Sequence, residues 1–351
     1  MSNSVVGYAA RDASGQMTPY SFERRAPRAD DVQIDILYCG VCHSDLHQVQ
    51  NHWGRTVYPM VPGHEIVGRV SAVGAEVKDF AVGDAVAVGC IVDSCQSCDS
   101  CTDGEEQYCL AGATQTYGDK DRVDGSPTYG GYSSRILVRD KFVLRVPEGL
   151  DLAAAAPLLC AGITTYSPLN YHGVKPGMRV GVVGLGGLGH MALKFAAAMG
   201  AEVTLFTTSP SKVEEAKRLG AHKVVISKDQ EQMKGVMRYF DLIVDTVPTD
   251  HAVTPYMMAL RRNGNLVMVG HIGMLEPMHS GLLMGGRKAL SGSAIGGIAE
   301  TQQMLDYCAE KGITCDIEMI PMVDINTAYQ RMENNDVHYR FVIDMASLKA
   351  V

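Results

Sequence analysis

The sequence lacks any uncharged apolar run long enough to span a membrane. Its first residues, Met1-Ser2-Asn3-Ser4-Val5-Val6-Gly7, lack the basic segment and apolar stretch of a secretion signal. Both absences predict a cytoplasmic protein without a membrane partner. Excess positive charge is also missing. The 31 basic residues stand against 39 acidic ones, a balance of −8, which is the wrong sign for work on nucleic acid or anionic lipid. A small-molecule ligand is the expectation. No internal repeat, low-complexity tract or long linker interrupts the chain, and 46% apolar with 20% charged residues is ordinary for a folded protein. At 351 residues the chain exceeds the size at which one core usually stops growing, so two closely abutting domains with a cleft between them are predicted.

What the sequence does have is ten cysteines. In a reducing compartment these are metal ligands or buried thiols rather than disulfides, and spacing decides which. Cys95, Cys98, Cys101 and Cys109 form a C-x2-C-x2-C-x7-C cluster in a polar loop. Four thiolates in so short a span can close a tetrahedral zinc site with no open position, which makes it structural. An iron–sulfur cluster fits less well, because the last spacing is too long and Leu110 stands where a proline would follow. A second set is spread along the chain: Cys42, His64 in Pro62-Gly63-His64-Glu65, and Cys160. Two thiolates and an imidazole would leave a fourth position for water or substrate, as a catalytic zinc requires. Taken singly, each is more often a buried thiol or a satisfied loop histidine, and composition does not join them.

Residues 1 to about 150 carry short β-type runs such as Val32–Leu37, Ile66–Val70 and Ala85–Val88. From about 156 the pattern becomes strands at 179–183, 202–206, 223–226, 241–245 and 265–269, alternating with helices at 187–199, 211–219 and 251–262. That alternation predicts an α/β domain with a parallel sheet. Helices near 300–311 and 325–334 and a strand at 339–343 follow. Periodicity leaves open whether they extend that sheet or return to the first domain. Gly184-Leu185-Gly186-Gly187-Leu188-Gly189 links the first strand to the first helix. A dinucleotide site needs glycine there for a tight turn at Gly184, backbone approach to pyrophosphate at Gly186 and helix–strand packing at Gly189. At the end of the second strand, where a carboxylate would bind the ribose of NAD, the chain reads Phe206-Thr207-Thr208-Ser209-Pro210-Ser211-Lys212. Hydroxyls and a lysine suit the 2′-phosphate of NADP. The alternative is a Ser-Pro turn that caps the next helix and leaves Lys212 solvated.

The segments GVCHSDLH, YPMVPGHEIVG, CQSCDSCTDGEEQYC, PLLCAGITTYSPL and GLGGLGHMALKFA together resemble the zinc-containing medium-chain alcohol dehydrogenases, in particular their cinnamyl alcohol dehydrogenase branch. The resemblance implies a GroES-like, mostly-β catalytic domain from residues 1–155 and 296–351, with a structural zinc lobe at about 90–112. A Rossmann NADP-binding domain at 156–295 would be inserted between. It implies two Zn²⁺ ions per chain, NADP(H), an aldehyde or primary alcohol substrate and a homodimer. Cys42, His64 and Cys160 would hold catalytic zinc, with Glu65 as an inner neighbour and Asp45 orienting His64. Ser44 would contact the substrate oxygen, and His47 would pass its proton to solvent through the cofactor ribose. Thr164, Val269, Gly270, Ser293 and Ile295 would line the nicotinamide end. Trp53, the single tryptophan, would form an aromatic wall, although packing alone explains it almost as well. Departures at His52-Trp53-Gly54 and at Gly118 to Gly130 favour a broad aldehyde reductase of the bacterial type over a lignin enzyme. An NAD-linked secondary alcohol or polyol dehydrogenase and a zinc-stabilised binding protein without turnover are the rival readings.

Overall fold

The computed structural model describes residues 4–270 and 273–348. Two compact units divide the chain, Met1–Cys160 with Gly296–Val351, and Ala161–Ile295. In the first unit the long strand Asp31–Val41 is the hub of a seven-stranded sheet. It pairs antiparallel with Ile66–Val73, with Arg135–Arg139 and with Arg340–Asp344. Alternate side chains along it, Val32, Ile34 and Ile36, are buried, as a strand with one core face requires. Phe341 lies opposite Val41, so the C-terminal strand belongs to the first unit. Two small two-stranded sheets complete the β content of this unit.

The second unit holds a six-stranded sheet in the order Lys223–Ile226, Glu202–Thr207, Arg179–Val183, Phe240–Asp245, Leu260–Met268 and Ala289–Gly292, parallel throughout. The strand order reverses direction between Arg179–Val183 and Phe240–Asp245. In open α/β sheets that reversal marks the ligand crevice, at the carboxyl ends of the strands. Val183, Phe206, Phe240, Ile243 and Leu266 pack in its core.

Several elements differ from the sequence reading, and the clearest cases have local causes. The helix expected over 251–262 spans only Thr254–Ala259, and the next strand begins at Leu260 rather than 265. Pro255 in the first turn suits a helix start, and Asn263 takes a left-handed φ of +65° that no helix interior accommodates. A further helix, Ala161–Tyr171, has no counterpart in the periodicity. Nine of its residues, Ala161 through Leu169, are buried, and a helix buried on every side, with Thr164, Thr165 and Ser167 among its buried residues, has no apolar stripe to detect.

Candidate active site and dinucleotide site

Cys42 directly follows the central strand Asp31–Val41 of the first unit and caps the helix His43–Val49. Its backbone N–H donates to Asp45 Oδ2 (2.9 Å), while its Sγ accepts from Ser44 N (3.5 Å). This is a capping box with a thiol in the place of the usual hydroxyl. His64 sits in the turn before Ile66–Val73, where Gly63 adopts φ +103° and a Cβ would strike Cys39 Sγ at 2.8 Å. Only glycine fits there. Cys160 terminates the short helical turn Ala156–Leu159. These three elements bring Cys42, His64, Glu65 and Cys160 together, all four buried, with one donor atom from each within 4.8 Å of the others.

The cluster fits a zinc ion. Zn–S bonds of about 2.3 Å at a tetrahedral angle place two sulfurs about 3.8 Å apart. The Cys42 and Cys160 sulfurs are separated by 3.8 Å. Asp45, with no exposed surface, accepts from His64 Nδ1 (3.1 Å) and Gly63 N (3.1 Å), which leaves His64 Nε2 as the nitrogen available to a metal. Burial works to lower the His64 pKa, but the charge and hydrogen bond of Asp45 together with Cys90 and Cys42 outweigh it and hold the imidazole well above its usual value. The hydrogen bond from Cys160 holds Cys42 well below the ordinary thiol range and raises Cys160 in turn.

Glu65 is ion-paired with Arg340, both fully or almost fully buried, and Glu65 Oε2 has no hydrogen-bond partner. A side chain at Gly40 would occupy the place of that oxygen, since its Cβ would lie 1.9 Å away. Arg340, Gly40 and Cys90 were missed by the sequence reading. The hydrogen bond to Cys160 outweighs the opposing effect of burial and lowers the Cys90 thiol, which places Cys90 beside the cluster. For Arg340 a signal was present: an arginine heading the apolar run Phe341-Val342-Ile343.

Ser44 and His47 lie three residues apart on the capped helix, hence on one face. His47 Nδ1 meets His52 Nδ1 at 2.9 Å, and the His47 ring lies 5.9 Å from that of Trp53. Trp53 is 40% exposed and carries the Arg55 guanidinium over its ring at 5.5 Å. The four lobe cysteines, Cys95, Cys98, Cys101 and Cys109, form a second cluster with Sγ atoms within 4.8 Å. Backbone N–H groups of Cys98, Leu110 and Cys95 point at the sulfurs of Cys95, Cys98 and Cys109 at 3.4 Å. The N–H groups of Ser97 and Cys98 bring the Cys95 thiol down to about 5, and burial raises Cys101 to about 11. Donors aimed at sulfur stabilise thiolate, the form that binds metal.

In the second unit Gly184 has φ +89° and a Cβ at Gly189 would meet the Gly184 carbonyl at 2.2 Å, whereas the space over Gly186 is open. Leu185 is buried and Gly187 and Leu188 complete the turn before helix Gly189–Ala198. At the end of the neighbouring strand Thr207 accepts from Ser209 N (3.2 Å), and Thr208 is exposed. Ser209 makes no side-chain cap to the turn that follows. Lys212 is half-buried and donates to the Leu185 carbonyl (2.8 Å), so the alternative of a capping serine beside a solvated lysine does not hold. Val269 and Gly270 both donate to the Asp245 carbonyl (2.9 and 3.1 Å), and Ser293 donates to Met268 (3.1 Å). Ile295 has φ +41°, a costly conformation for a β-branched residue. Thr164 is buried in helix Ala161–Tyr171.

These features define a zinc-binding dehydrogenase. The alcohol dehydrogenase GroES-like domain matches residues 28–148 and the zinc-binding dehydrogenase domain residues 187–310. The chain belongs to the zinc-binding alcohol dehydrogenase family, with the cinnamyl alcohol dehydrogenases among its relatives. It is 54% identical to a probable mannitol dehydrogenase of Fragaria ananassa over 97% of this chain and 95% of that one. A cinnamyl alcohol dehydrogenase structure from Sorghum bicolor has TM-score 0.95 and 47% identity, covering 99% and 100% of the two chains. A cinnamyl alcohol dehydrogenase from Helicobacter pylori, complexed with NADP(H), has TM-score 0.93 and 39% identity over 99% and 100%.

Proposed function

We propose that this chain is an NADPH-linked aldehyde reductase and primary alcohol dehydrogenase, acting on aromatic, cinnamyl-type or aliphatic aldehydes. The observation that carries the reading is the convergence of Cys42, His64 and Cys160 at zinc-ligand spacing, beside a helix bearing Ser44 and His47. When bound there, zinc supplies Lewis acidity toward a carbonyl oxygen, and the dihydronicotinamide supplies hydride. Cys42, His64 and Cys160 hold the ion, and Cys95, Cys98, Cys101 and Cys109 hold the structural one. Asp45 fixes the His64 tautomer, and Glu65, anchored by Arg340, keeps one carboxylate oxygen free at the edge of the cluster.

Ser44 would supply a proton to the substrate oxygen, and His47 would replenish Ser44. His47 has a second route for that proton: its Nδ1 meets exposed His52, whereas the resemblance routes it through the cofactor ribose. Trp53 offers an aromatic face beside His47 for a ring-bearing substrate. Thr207, Thr208, Ser209 and Lys212 receive the 2′-phosphate, and Gly184 through Gly189 the pyrophosphate. Thr164, Val269, Gly270, Ser293 and Ile295 line the nicotinamide end. Ten cysteines outside any disulfide suit a cytoplasmic setting, and the protein acts as a homodimer without nucleic-acid or membrane partners. No single helix among the described residues is long and apolar enough to cross a membrane.

The name of the Fragaria relative keeps a polyol substrate in view. The test is NADPH and NADH oxidation over aliphatic, benzylic and cinnamyl aldehydes, with mannitol oxidation in parallel and zinc measured on the same sample. Two zincs and NADPH-dependent aldehyde reduction are expected. Preference for NADH with mannitol turnover would select the polyol reading, and two zincs without any turnover the binding protein.

A further inference from the structure

The loop after strand Phe240–Asp245 runs along the crevice where the strand order reverses. Asp245 lies in register with Val183, the residue before the glycine turn. Thr246 donates to the Val183 carbonyl through both its N–H (3.1 Å) and its hydroxyl (2.7 Å). A side chain at Gly184 would collide with Val247 at 2.7 Å, so this loop forms one wall of the phosphate turn. The Asp245 carbonyl also accepts from Val269 and Gly270.

The loop is closed by a histidine that no role assigned above uses. His251 Nδ1 lies 2.8 Å from the Thr249 carbonyl and Nε2 lies 2.8 Å from Asp245 Oδ2, with Asp245 only 1% exposed. A carbonyl and a carboxylate both accept, so both ring nitrogens carry protons, or else Asp245 keeps one. Either way the pair holds one shared proton and has no net charge. The other groups facing His251 are the acidic Asp250 and Glu276, the latter anchored by Val253 and Thr254 N–H, and the ring of Tyr256 at 6.1 Å.

We propose that the His251–Asp245 pair is a pH-dependent positioning element of the dinucleotide site: it ties the loop against the glycine turn while protonated and opposes phosphate once deprotonated. The inference rests on the dinucleotide reading of the second unit but not on the choice of NADPH over NADH. Burial lowers His251, but the Thr249 carbonyl and Asp245 outweigh it and leave the ring above the ordinary histidine value. Burial chiefly raises Asp245, against the pull of His251. The shared proton is therefore fully present below the ordinary histidine pKa and is lost as pH rises through the raised one. Its loss leaves one ring N–H for two acceptors, so the contact with the Thr249 carbonyl is given up, and it leaves one net negative charge beside the phosphate turn. Both effects weaken dinucleotide binding. Lys212, lowered by burial, also deprotonates at the alkaline end, so the test depends on comparison with a variant.

The experiment measures Kd for NADPH and NADH from about pH 6.5 to about pH 9.5, a window that brackets a raised histidine. It uses the full-length zinc-loaded enzyme, its H251Q and D245N variants, and circular dichroism at each pH. Wild type is expected to weaken about three- to tenfold for both dinucleotides. In the variants the NADH curve flattens and KM for the dinucleotide moves while kcat holds. By linkage, saturating NADH raises the His251 titration in wild type, read by NMR, by the logarithm of the same fold-change, which needs no variant to fold. A wild-type NADH curve that H251Q reproduces, or a His251 titration unmoved by NADH, overturns the proposal. Absence of NADPH binding alongside the NADH step overturns only the coenzyme preference.

Discussion

Two single residues test the chemistry most directly. Cys42 supplies both a sulfur 3.8 Å from Cys160 and the cap of the helix bearing Ser44 and His47. Cys42→Ser keeps a capping oxygen but loses the soft ligand, so the protein is expected to stay folded, retain the lobe zinc, lose the other and lose aldehyde reduction. Metal analysis finding both ions, with wild-type turnover, would refute the ligand assignment. Ser209, whose side chain is not spent on the following turn, stands near the end of the second strand. Ser209→Asp is expected to raise Kd for NADPH about ten- to a hundredfold and leave NADH within a few-fold, since a charge-assisted phosphate contact is exchanged for repulsion. Equal loss with both dinucleotides would mean that this turn does not meet the 2′-phosphate. Residue spacing made the four lobe cysteines readable directly, because all of them fall within one loop. Cys42 and Cys160 are 118 residues apart and joined only through family resemblance. Gly40 escaped notice because its service to Glu65 is a matter of space in the folded state, and the arginine at the head of an apolar run gave no sign of which carboxylate it meets.

Four parallel strands of the second unit were legible as short apolar runs between helices, with boundaries moved by a residue or so, whereas the fifth begins five residues early at Leu260 and the edge strand Ala289–Gly292, a short ALSG segment, had no counterpart. The errors have local causes. Apolar residues continue from Ala259 into Leu260, so the helix pattern runs on, while the chain is already extended at Leu260 and bulges within the strand at Asn263, in a left-handed conformation, and Gly264, packed under the Phe240 carbonyl. The zinc lobe adds an element whose docking no periodicity reports. Its Glu106 carboxylate accepts from Ile298 N (3.0 Å) at the start of helix Ile298–Lys311, and Gly297 lies directly beneath the Gly104 carbonyl. A Cβ at Gly297 would fall 1.7 Å from that oxygen, and backbone cannot yield as a side-chain tip does. Gly297→Ala should therefore destabilise the protein by about 1–3 kcal/mol. It should also speed chelator removal of the lobe zinc, both followed by thermal unfolding and a zinc-release assay. A wild-type midpoint with wild-type release would show that the lobe does not depend on this contact.

At the scale of the molecule, sequence periodicity could not place the last fifty residues, because the partner of Phe341 is Val41, three hundred positions away. Strand pairing at that separation leaves no local trace, and only resemblance anticipated the return. The same scale poses the question of assembly. Strand Ala289–Gly292 closes the six-stranded sheet with a partner on one side only, and an open edge invites pairing with another chain. The segment leading into it exposes Met274 at 90% and Met284 at 80% of their surfaces, with Leu275 and Leu283 also exposed. Apolar surface gathered beside an open edge suits an isologous interface, in which the edge meets its own copy about a twofold axis. Sedimentation equilibrium at micromolar protein is therefore expected to return twice the chain mass. Met284→Glu places a charge in that patch, in the unit that carries neither cysteine cluster, and burial of two such charges across a twofold axis is repulsive as well as desolvating. The variant should dissociate toward monomer while keeping both zincs. A monomeric wild type, or a dimer indifferent to the charge, would move the interface elsewhere or remove it.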